Sequence, residues 1–443
     1  MKRFLLALLA MPGCATAFAG GLMTNTNYHT AFDRMMARGA SVEVDAAYSN
    51  PAGMVWGHEG WQLSFNWQIP AQNRDITTYV PSYLGEKNYS HKFEGEATAP
   101  FVPGLFATYR HQRWAVGAML GIVGSGGYVR YDEGLPMLNI PVTQRLYSLG
   151  GFLKPGDNYT LDSKMKGKQY IYGLQVSGAY QLAPWLSASA GLRVNYFDGY
   201  YRGHVLTTAF KRVPLIGMEL DCEQSGWGVT PIIGVNLRRG PVTLAARYEF
   251  RTKLNIPNDT KTLDTKVLGL SLPSSVRQVL LDQKTNQTLA SFEDGVKNRY
   301  DIPALLSVAL GCEIVPQVRA TLEYHFFDDT HAHFTGDRQK GIKHGTNEFL
   351  AGVEWDINKT FTVSVGGQRT DYGVTDTYQQ NTSFACDSYS VGFGGAANLN
   401  QHLRLNAGYF LTLYSDYTQE HTDRTDVYSR TNGVLGVGID YKF

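Results

Sequence analysis

Apolar residues occupy every second position through most of the chain, and the residues between them are small or polar. The C-terminus shows this clearly, since Gly436, Gly438, Asp440 and Lys442 alternate with Leu435, Val437, Ile439, Tyr441 and Phe443. A period of two predicts β-strands with one apolar face. We predict fourteen such strands, at approximately Trp61–Ile69, Phe101–Tyr109, Trp114–Ser125, Tyr170–Tyr180, Leu186–Tyr200, Ser225–Leu237, Val242–Lys253, Tyr300–Cys312, Val318–Phe327, Glu348–Ile357, Phe361–Arg369, Ser388–Ala397, Leu403–Tyr414 and Asn432–Phe443.

The connections between these strands alternate strictly between short and long. Arg238–Pro241 and Asn358–Thr360 are short turns, whereas Gly126–Gln169 and Leu254–Arg299 are long connections. Outer-membrane barrels have short periplasmic turns, long outer loops and strands that turn an apolar face to lipid. Because backbone groups find no water in hydrocarbon, such a sheet must close on itself. The pattern predicts an all-β fold, a fourteen-stranded antiparallel transmembrane barrel in the bacterial outer membrane.

The first nineteen residues have the features of an export signal. Lys2 and Arg3 precede an apolar run, Phe4–Met11, and Ala17-Phe18-Ala19 is a small-x-small pattern that predicts cleavage before Gly20. An alternative is lipidation of Cys14, although Met11-Pro12-Gly13 is a poor approach to a lipidated cysteine. After the signal, no stretch approaches the ~20 apolar residues of a transmembrane helix.

Charge and cysteine content exclude several classes of partner and cofactor. Lys and Arg total 40 against 39 Asp and Glu, and a net charge of +1 gives a nucleic acid little to bind. The mature chain keeps Cys222, Cys312 and Cys386, an odd number that allows one disulfide at most. Potential metal ligands cluster at 328–333, but we favour a solvated loop there. We predict no metal, no cofactor and no catalytic residues.

Residues 20–58 do not follow the strand pattern. They contain Ala37-Arg38-Gly39-Ala40 and then Asp45-Ala46-Ala47-Tyr48-Ser49-Asn50-Pro51-Ala52-Gly53-Met54, directly before the first strand. This arrangement resembles the FadL family of outer-membrane transporters for fatty acids and aromatic hydrocarbons, in which an N-terminal hatch ending in Asn-Pro-Ala precedes a fourteen-stranded barrel. The segments Ala246–Leu254 and Tyr300–Gly311 also resemble strands of this family. The resemblance implies a signal peptide at 1–19, a hatch at 20–58 and a barrel at 59–443.

The resemblance also implies a function, namely passive and hatch-gated uptake of hydrophobic small molecules such as long-chain fatty acids, with no enzymatic activity. Outer loops would capture the ligand, a pocket beside the hatch N-terminus would receive it, and a gap at the third strand would release it sideways into the membrane. The expected gating residues are Gly20, Gly21, Leu22, Asn50, Pro51, Ala52, Gly117, Gly121 and Gly124. As alternatives, the last three glycines could only make room for the hatch, and Asn50-Pro51-Ala52 could be an ordinary turn.

Three arginines are candidates for binding the carboxylate of a ligand. Arg193, Arg247 and Arg251 point into the lumen by strand parity, and a guanidinium group pairs well with a carboxylate. Glu249 and Glu323 offer a different possibility, because inward arginines of a polar barrel interior often form internal ion pairs.

Other barrel functions make different demands on the sequence. A general porin needs an open lumen, which the hatch opposes, and a barrel enzyme needs a Ser/His or Asp/His set at the outer rim, which we do not find. A purely structural barrel would lack an interior apolar pocket. The expected partners are a hydrophobic ligand, outer-membrane lipid and the barrel-insertion machinery, which recognises a terminal aromatic residue such as Phe443. We expect a monomer that binds no nucleic acid.

Overall fold

The computed structural model describes residues 29–99, 101–273 and 283–443. The predicted export signal, Cys14 and the expected gating residues Gly20, Gly21 and Leu22 lie outside these ranges. Within the described residues, no helix combines the length and the hydropathy needed to cross a membrane.

The described residues form a large antiparallel sheet with a few short helices. The strands are β1 (Gly60–Tyr83), β2 (Glu86–Phe93), β3 (Gly95–Thr98), β4 (Val102–His111), β5 (Trp114–Tyr131), β6 (Tyr159–Ala183), β7 (Leu186–Ala209), β8 (Val213–Arg239), β9 (Val242–Glu249), β10 (Asn255–Val267), β11 (Leu270–Ser271), β12 (Lys297–Arg299), β13 (Leu305–Val315), β14 (Val318–Phe327), β15 (Thr346–Asp356), β16 (Phe361–Asp371), β17 (Ser388–Asn398), β18 (Leu403–Tyr414), β19 (Tyr417–Glu420) and β20 (Thr425–Lys442). The α-helices are α1 (Thr30–Arg34), α2 (Ala46–Ser49), α3 (Pro136–Ser148) and α4 (Gln283–Ala290), and 3₁₀ helices cover Pro51–Trp56, Asp329–His331 and Thr335–Gly341.

The sheet closes into a barrel because its first and last strands pair. β1 and β20 form an antiparallel ladder from Gln62 opposite Lys442 to Tyr79 opposite Thr425. The barrel strands in order are β1, β4, β5, β6, β7, β8, β9, β13, β14, β15, β16, β17, β18 and β20, each paired antiparallel with the next. The predicted fourteen-stranded antiparallel barrel is therefore confirmed, and each predicted strand corresponds to one barrel strand.

Several strands are much longer than predicted, because their two faces exchange character partway along. On β7, Leu192 and Val194 face outwards, whereas Phe197 and Val205 on the opposite face are buried inside. On the outward face, polar residues such as His204 then replace the apolar ones. The same change occurs on β8, so the predicted loop 201–224 is mostly a continuation of a tall hairpin. The prediction from the sequence required one continuous apolar face, so it ended each strand where this exchange begins.

The seventh strand is interrupted rather than continuous. β9 ends at Glu249 and β10 begins at Asn255, and both pair with β8. Between them, Thr252 forms a single bridge with Ile302. The predicted strand through Lys253 was therefore too long. The predicted connection 254–299 contains β10, β11, α4 and β12.

Residues 29–58, which we call the N-terminal segment, lie inside the barrel. All five residues of α1 are buried, and α1 packs against β17, β18 and β20. Glycines of the wall make this close approach possible, since a Cβ at Gly392 would lie 2.5 Å from the Asp33 carbonyl oxygen. The backbone of the segment therefore occupies space that side chains fill elsewhere in the lumen.

Substitution of one wall glycine tests this packing. Gly392→Ala places a methyl group against the backbone of α1, and overpacking of this kind typically costs about 1–3 kcal/mol. We expect a lower midpoint of thermal unfolding in detergent and faster proteolysis of the N-terminal segment. Gly178→Ala is the control, because a Cβ at Gly178 meets nothing within 4 Å. Equal behaviour of the two variants would contradict the packing of α1 described above.

Candidate functional site

The N-terminal segment is held in the lumen by an arginine clamp around Tyr48. The guanidinium carbons of Arg193 and Arg247 lie 5.6 and 4.9 Å from the centre of the Tyr48 ring. Arg247 also donates a hydrogen bond to the Tyr48 carbonyl oxygen. Glu249 forms ion pairs with both arginines, and all three side chains are buried. Buried charges of this kind are costly unless they are paired, so the shared Glu249 carboxylate stabilises both guanidinium groups.

The structure brings two of the three predicted arginines together and places the third elsewhere. Arg193 and Arg247 share Glu249, in agreement with the ion-pair alternative. Arg251 donates to the His331 carbonyl oxygen and lies 3.7 Å from Asp301. Because this site is at the edge of the strand interruption, Arg251 is not part of the clamp.

Asn50, Pro51 and Ala52 form the junction between α2 and the following 3₁₀ helix. The Asn50 amide donates to the Ser41 carbonyl oxygen at 3.1 Å, so it braces the segment internally rather than bonding the wall. Pro51 occupies the first turn of the 3₁₀ helix, where its missing N–H costs nothing. The Ala52 carbonyl oxygen accepts from the Ser187 hydroxyl at 2.5 Å, which joins the junction to β7.

A second set of ion pairs fixes the segment near the end of the barrel that carries the short turns. Arg34 pairs with Glu354, which also receives Arg319 at 2.7 Å. Glu43 accepts from Arg404 at 2.7 Å and from Arg38 at 2.8 Å. Burial by itself would raise the pKa of Glu43, but Arg404 and Arg38 outweigh it and hold that pKa well below its ordinary value. Glu43 therefore stays ionised and keeps both links at neutral pH.

Sequence analysis missed this second set. The inward position of Glu354 and Arg404 followed from strand parity, and that was the available signal. The partners lie far apart in the sequence, however, since Glu354 follows Arg34 at a separation of 320 residues. Only the docking of α1 against the wall determines which inward charge meets which.

Two apolar clusters line the lumen, and the first of them lies on the side of the long loops. The outer apolar cluster is formed by inward residues of the tall strands, α3, α4 and the loop before β17, and it includes Ile76, Tyr131, Leu135, Met165, Val205, Met218, Leu220, Leu289, Phe292, Phe384 and Tyr428. The inner apolar cluster joins the N-terminal segment to the wall and includes Val44, Tyr48, Met54, Phe106, Met119, Val123, Ile171, Phe197 and Leu254.

The wall is irregular in β5, beside the inner apolar cluster. β4 pairs with β5 only from Gly104 opposite Gly121 to the turn, and β3 pairs with it again from Tyr128. On the other side, the register with β6 shifts between Ile122 and Gly124 and again between Gly124 and Gly127. The described ladders thus leave 122–127 without a partner on the β4 side, and Ala99, Val102 and Ile122 line this place.

The three predicted wall glycines occupy different environments. Gly124 lies within the irregular stretch, and Gly121 forms the last pair before it. Gly117 faces the N-terminal segment, since a Cβ there would lie 2.4 Å from the Met54 sulfur. Gly117 therefore gives room to the segment, whereas Gly124 lies where the ladder is broken. Their roles in gating stay predictions.

Removing the shared carboxylate tests the arginine clamp. Glu249→Gln leaves two buried guanidinium groups without their anion, and breaking a buried pair typically costs about 3–5 kcal/mol. We expect that loss in the free energy of unfolding, measured by urea titration in lipid vesicles. The control is Glu313→Gln, which removes an exposed pair with Arg238 at 3.2 Å and should cost at most about 1 kcal/mol. Similar, small losses of unfolding free energy in both variants would show that the clamp does not stabilise the fold.

Solved structures of other proteins have a similar architecture. No family model and no curated protein matches the sequence. Among solved structures, a Pseudomonas aeruginosa FadL homologue has a TM-score of 0.66 at 14% identity, covering 96% of this chain and 100% of that chain. The Pseudomonas putida toluene transporter TodX has a TM-score of 0.61 at 13% identity, covering 97% of this chain and 100% of its own. The Ralstonia pickettii toluene transporter TbuX gives 0.54 at 14% identity, with coverage of 97% and 99%. The chain therefore has the barrel fold of the FadL-type hydrophobic-compound transporters.

Proposed function

We propose that this chain is an outer-membrane channel for the passive uptake of hydrophobic small molecules, such as long-chain fatty acids. The observation that carries the proposal is the apolar lining of the lumen. Barrel pores that conduct water and polar solutes have polar interiors. Here the outer apolar cluster buries residues such as Leu135, Val205 and Met218 on the inner side of the wall. A lumen of this kind favours an apolar solute over a hydrated one.

The outer surface supports a membrane location. A belt of outward residues is apolar and exposed, and it includes Leu63, Val116, Leu192, Val235, Val363 and Leu435. Exposed apolar area of this extent is costly in water and is stabilising in lipid. We therefore propose a monomeric chain whose partners are outer-membrane lipid and the barrel-insertion machinery.

The proposed exit is sideways through the irregular part of β5. The inner apolar cluster reaches this place through Val123 and Ile171. The direct route to the barrel end, in contrast, ends in a cavity of about 620 Å³ lined by charged residues that include Arg38, Arg319, Glu354, Asp356 and Arg404. Because these groups favour water over hydrocarbon, an apolar molecule gains by leaving through the wall instead.

The N-terminal segment, as part of the predicted hatch at 20–58, would act as the gate. It fills the lumen between the two sets of ion pairs and contributes Val44, Tyr48 and Met54 to the inner apolar cluster. A ligand that reaches this cluster touches the hatch and the wall at once, which couples binding to the position of Asn50-Pro51-Ala52. This coupling is the proposed gating mechanism.

Deletion of Gly20–Ser49 tests gated transport. We expect the intact protein to be nearly closed to ions in planar bilayers and still to move a labelled long-chain fatty acid into liposomes. The deletion removes the lumenal filling and should therefore give a large steady conductance. Retained resistance to SDS at low temperature would show that the trimmed barrel is folded. A large conductance of the intact protein without lipid movement would establish a general porin instead.

Straightening β5 tests the lateral exit. Between Ile122 and Gly127, β5 advances five residues while β6 advances three, from Tyr172 to Gln169, so β5 carries two extra residues. Deleting Val123 and Ser125 should restore a continuous ladder and abolish uptake of the fatty acid while ion conductance stays low. The control is deletion of Lys261, which removes the register shift between β10 and β8 away from this wall. Normal uptake after straightening would argue for another exit.

A further inference from the structure

The outward surface of the barrel carries a broad groove across five neighbouring strands, β13 to β17, with a volume of about 670 Å³. Two rows of residues line it. The row nearer the long loops consists of Val308, Tyr324, Phe349, Arg369 and Tyr389. The row below it consists of Leu310, Leu322, Ala351 and Gly367. These side chains face away from the lumen, because the residues that alternate with them, such as Glu323 and Leu350, are buried inside.

The floor of the groove is low because two of its residues are small. Ala351 and Gly367 pair in register at its centre, between Leu322 on one side and Val391 on the other. A Cβ added at Gly367 would meet the Ser390 carbonyl oxygen at 3.4 Å, an ordinary van der Waals distance. Packing among the described residues therefore does not require glycine at this position, and the space above it is open.

Arg369 lies at the rim of the groove, where the outward face of β16 changes from apolar to charged. Val365 below it is apolar and exposed, and the next outward residue above it is Asp371. The Arg369 guanidinium carbon lies 5.6 Å from the centre of the Tyr389 ring. Asp371 lies 3.8 Å from His344, and no carboxylate in the described part of the chain forms an ion pair with Arg369. An exposed cation thus stands directly above an apolar surface.

The groove has the polarity and the width of a site for a lipid with several hydrocarbon chains and a phosphate. Its apolar rows favour hydrocarbon, and a guanidinium group presents donors that match the oxygens of a phosphate. Strands about 4.8 Å apart make a groove of five strands about 19 Å wide, which is far wider than one hydrocarbon chain. A single fatty acid would therefore leave most of the floor uncovered.

We propose that this groove binds a phosphorylated glycolipid of the outer leaflet, with its acyl chains over Ala351 and Gly367 and a phosphate on Arg369. The rim lies towards the long loops, which face outwards in barrels of this kind. The assignment rests on the proposed outer-membrane location and does not involve the lumen. It adds a fixed lipid on the outer wall to the proposed uptake through the interior.

Equilibrium binding to the purified full-length protein in a nonionic detergent tests the site, with bound lipid counted by native mass spectrometry. The probes are lipid A that carries its phosphates, the same lipid A without phosphates, and dioleoyl phosphatidylglycerol, which has a phosphate but fewer chains. We expect the phosphorylated lipid A to bind at least about tenfold more tightly than either reference lipid, because only this lipid pairs with Arg369 and also covers the floor.

Two substitutions separate the head group from the chains. Arg369→Gln removes the cation and keeps a polar side chain. We expect the preference for phosphorylated lipid A to fall at least about tenfold, while binding of the form without phosphates stays within about twofold. Gly367→Leu fills the floor and should weaken binding of both forms of lipid A at least about tenfold. Ala351→Leu fills the same floor from β15, and it replaces Gly367→Leu if that variant does not fold, as judged by resistance to SDS.

Each substitution has a matched control. Arg113 is also exposed and lies 5.4 Å from the centre of a tyrosine ring, that of Tyr180, but it donates to the Gln181 carbonyl oxygen at the end of the barrel with the short turns. Arg113→Gln changes the net charge equally and should leave binding of all three probes unchanged. Gly178 is likewise outward and exposed, and a Cβ there meets nothing within 4 Å. Gly178→Leu should therefore bind as the wild type does.

The outcomes distinguish this site from the proposed uptake. Loss of the phosphate preference in Arg369→Gln, together with loss of both forms of lipid A in Gly367→Leu, supports the site. A reference lipid that binds as tightly as phosphorylated lipid A, the same loss in Arg113→Gln, normal binding in the variant with the filled floor, or a dimer without bound lipid overturns it. A wild-type protein that binds the glycolipid but moves no fatty acid into liposomes would overturn the proposed uptake and leave the site intact.

Discussion

Backbone amides and carbonyls have no hydrogen-bonding partners in hydrocarbon, and the architecture follows from that constraint. Each strand must be paired on both sides, which is why β1 and β20 close the sheet along a ladder from Gln62 to Tyr79. A break in such a wall is costly unless something else satisfies the freed groups. The irregular stretch 122–127 of β5 is therefore a feature that the rest of the fold has to support. Val123 belongs to the inner apolar cluster, and Ile122 packs with Ala99 and Val102.

Closure has a second consequence, because a barrel of this size encloses a lumen that either protein or water must fill. The N-terminal segment fills it, and small residues of the wall, such as Gly392 and Gly117, allow the close approach. Charged groups then fix the segment at two levels. Arg193 and Arg247 share the Glu249 carboxylate beside Tyr48. Arg34, Arg38 and Arg404 each pair with a glutamate or an aspartate.

The two ends of the lumen differ in polarity. At the loop end, strand faces exchange character, so that apolar residues such as Val205 and Leu220 turn inwards and meet α3 and α4. At the turn end, the cavity is lined by arginines and acids. A hydrophobic solute is stabilised at the first and opposed at the second. The proposed sideways exit is the physical consequence of that difference.

The sequence by itself determined the barrel. Alternation with a period of two and the regular exchange of short and long connections are local properties, and they sufficed to predict the number of strands and the inward parity of Arg193 and Arg247. Strand ends were harder, because the tall hairpin of β7 and β8 reverses its apolar face where its surroundings change from lipid to water. Only the tertiary structure decided which inward charges meet. Arg34 with Glu354, and Arg404 with Glu43, are brought together by docking of the N-terminal segment. Pairing across more than three hundred positions leaves no mark in the spacing of residues along the chain.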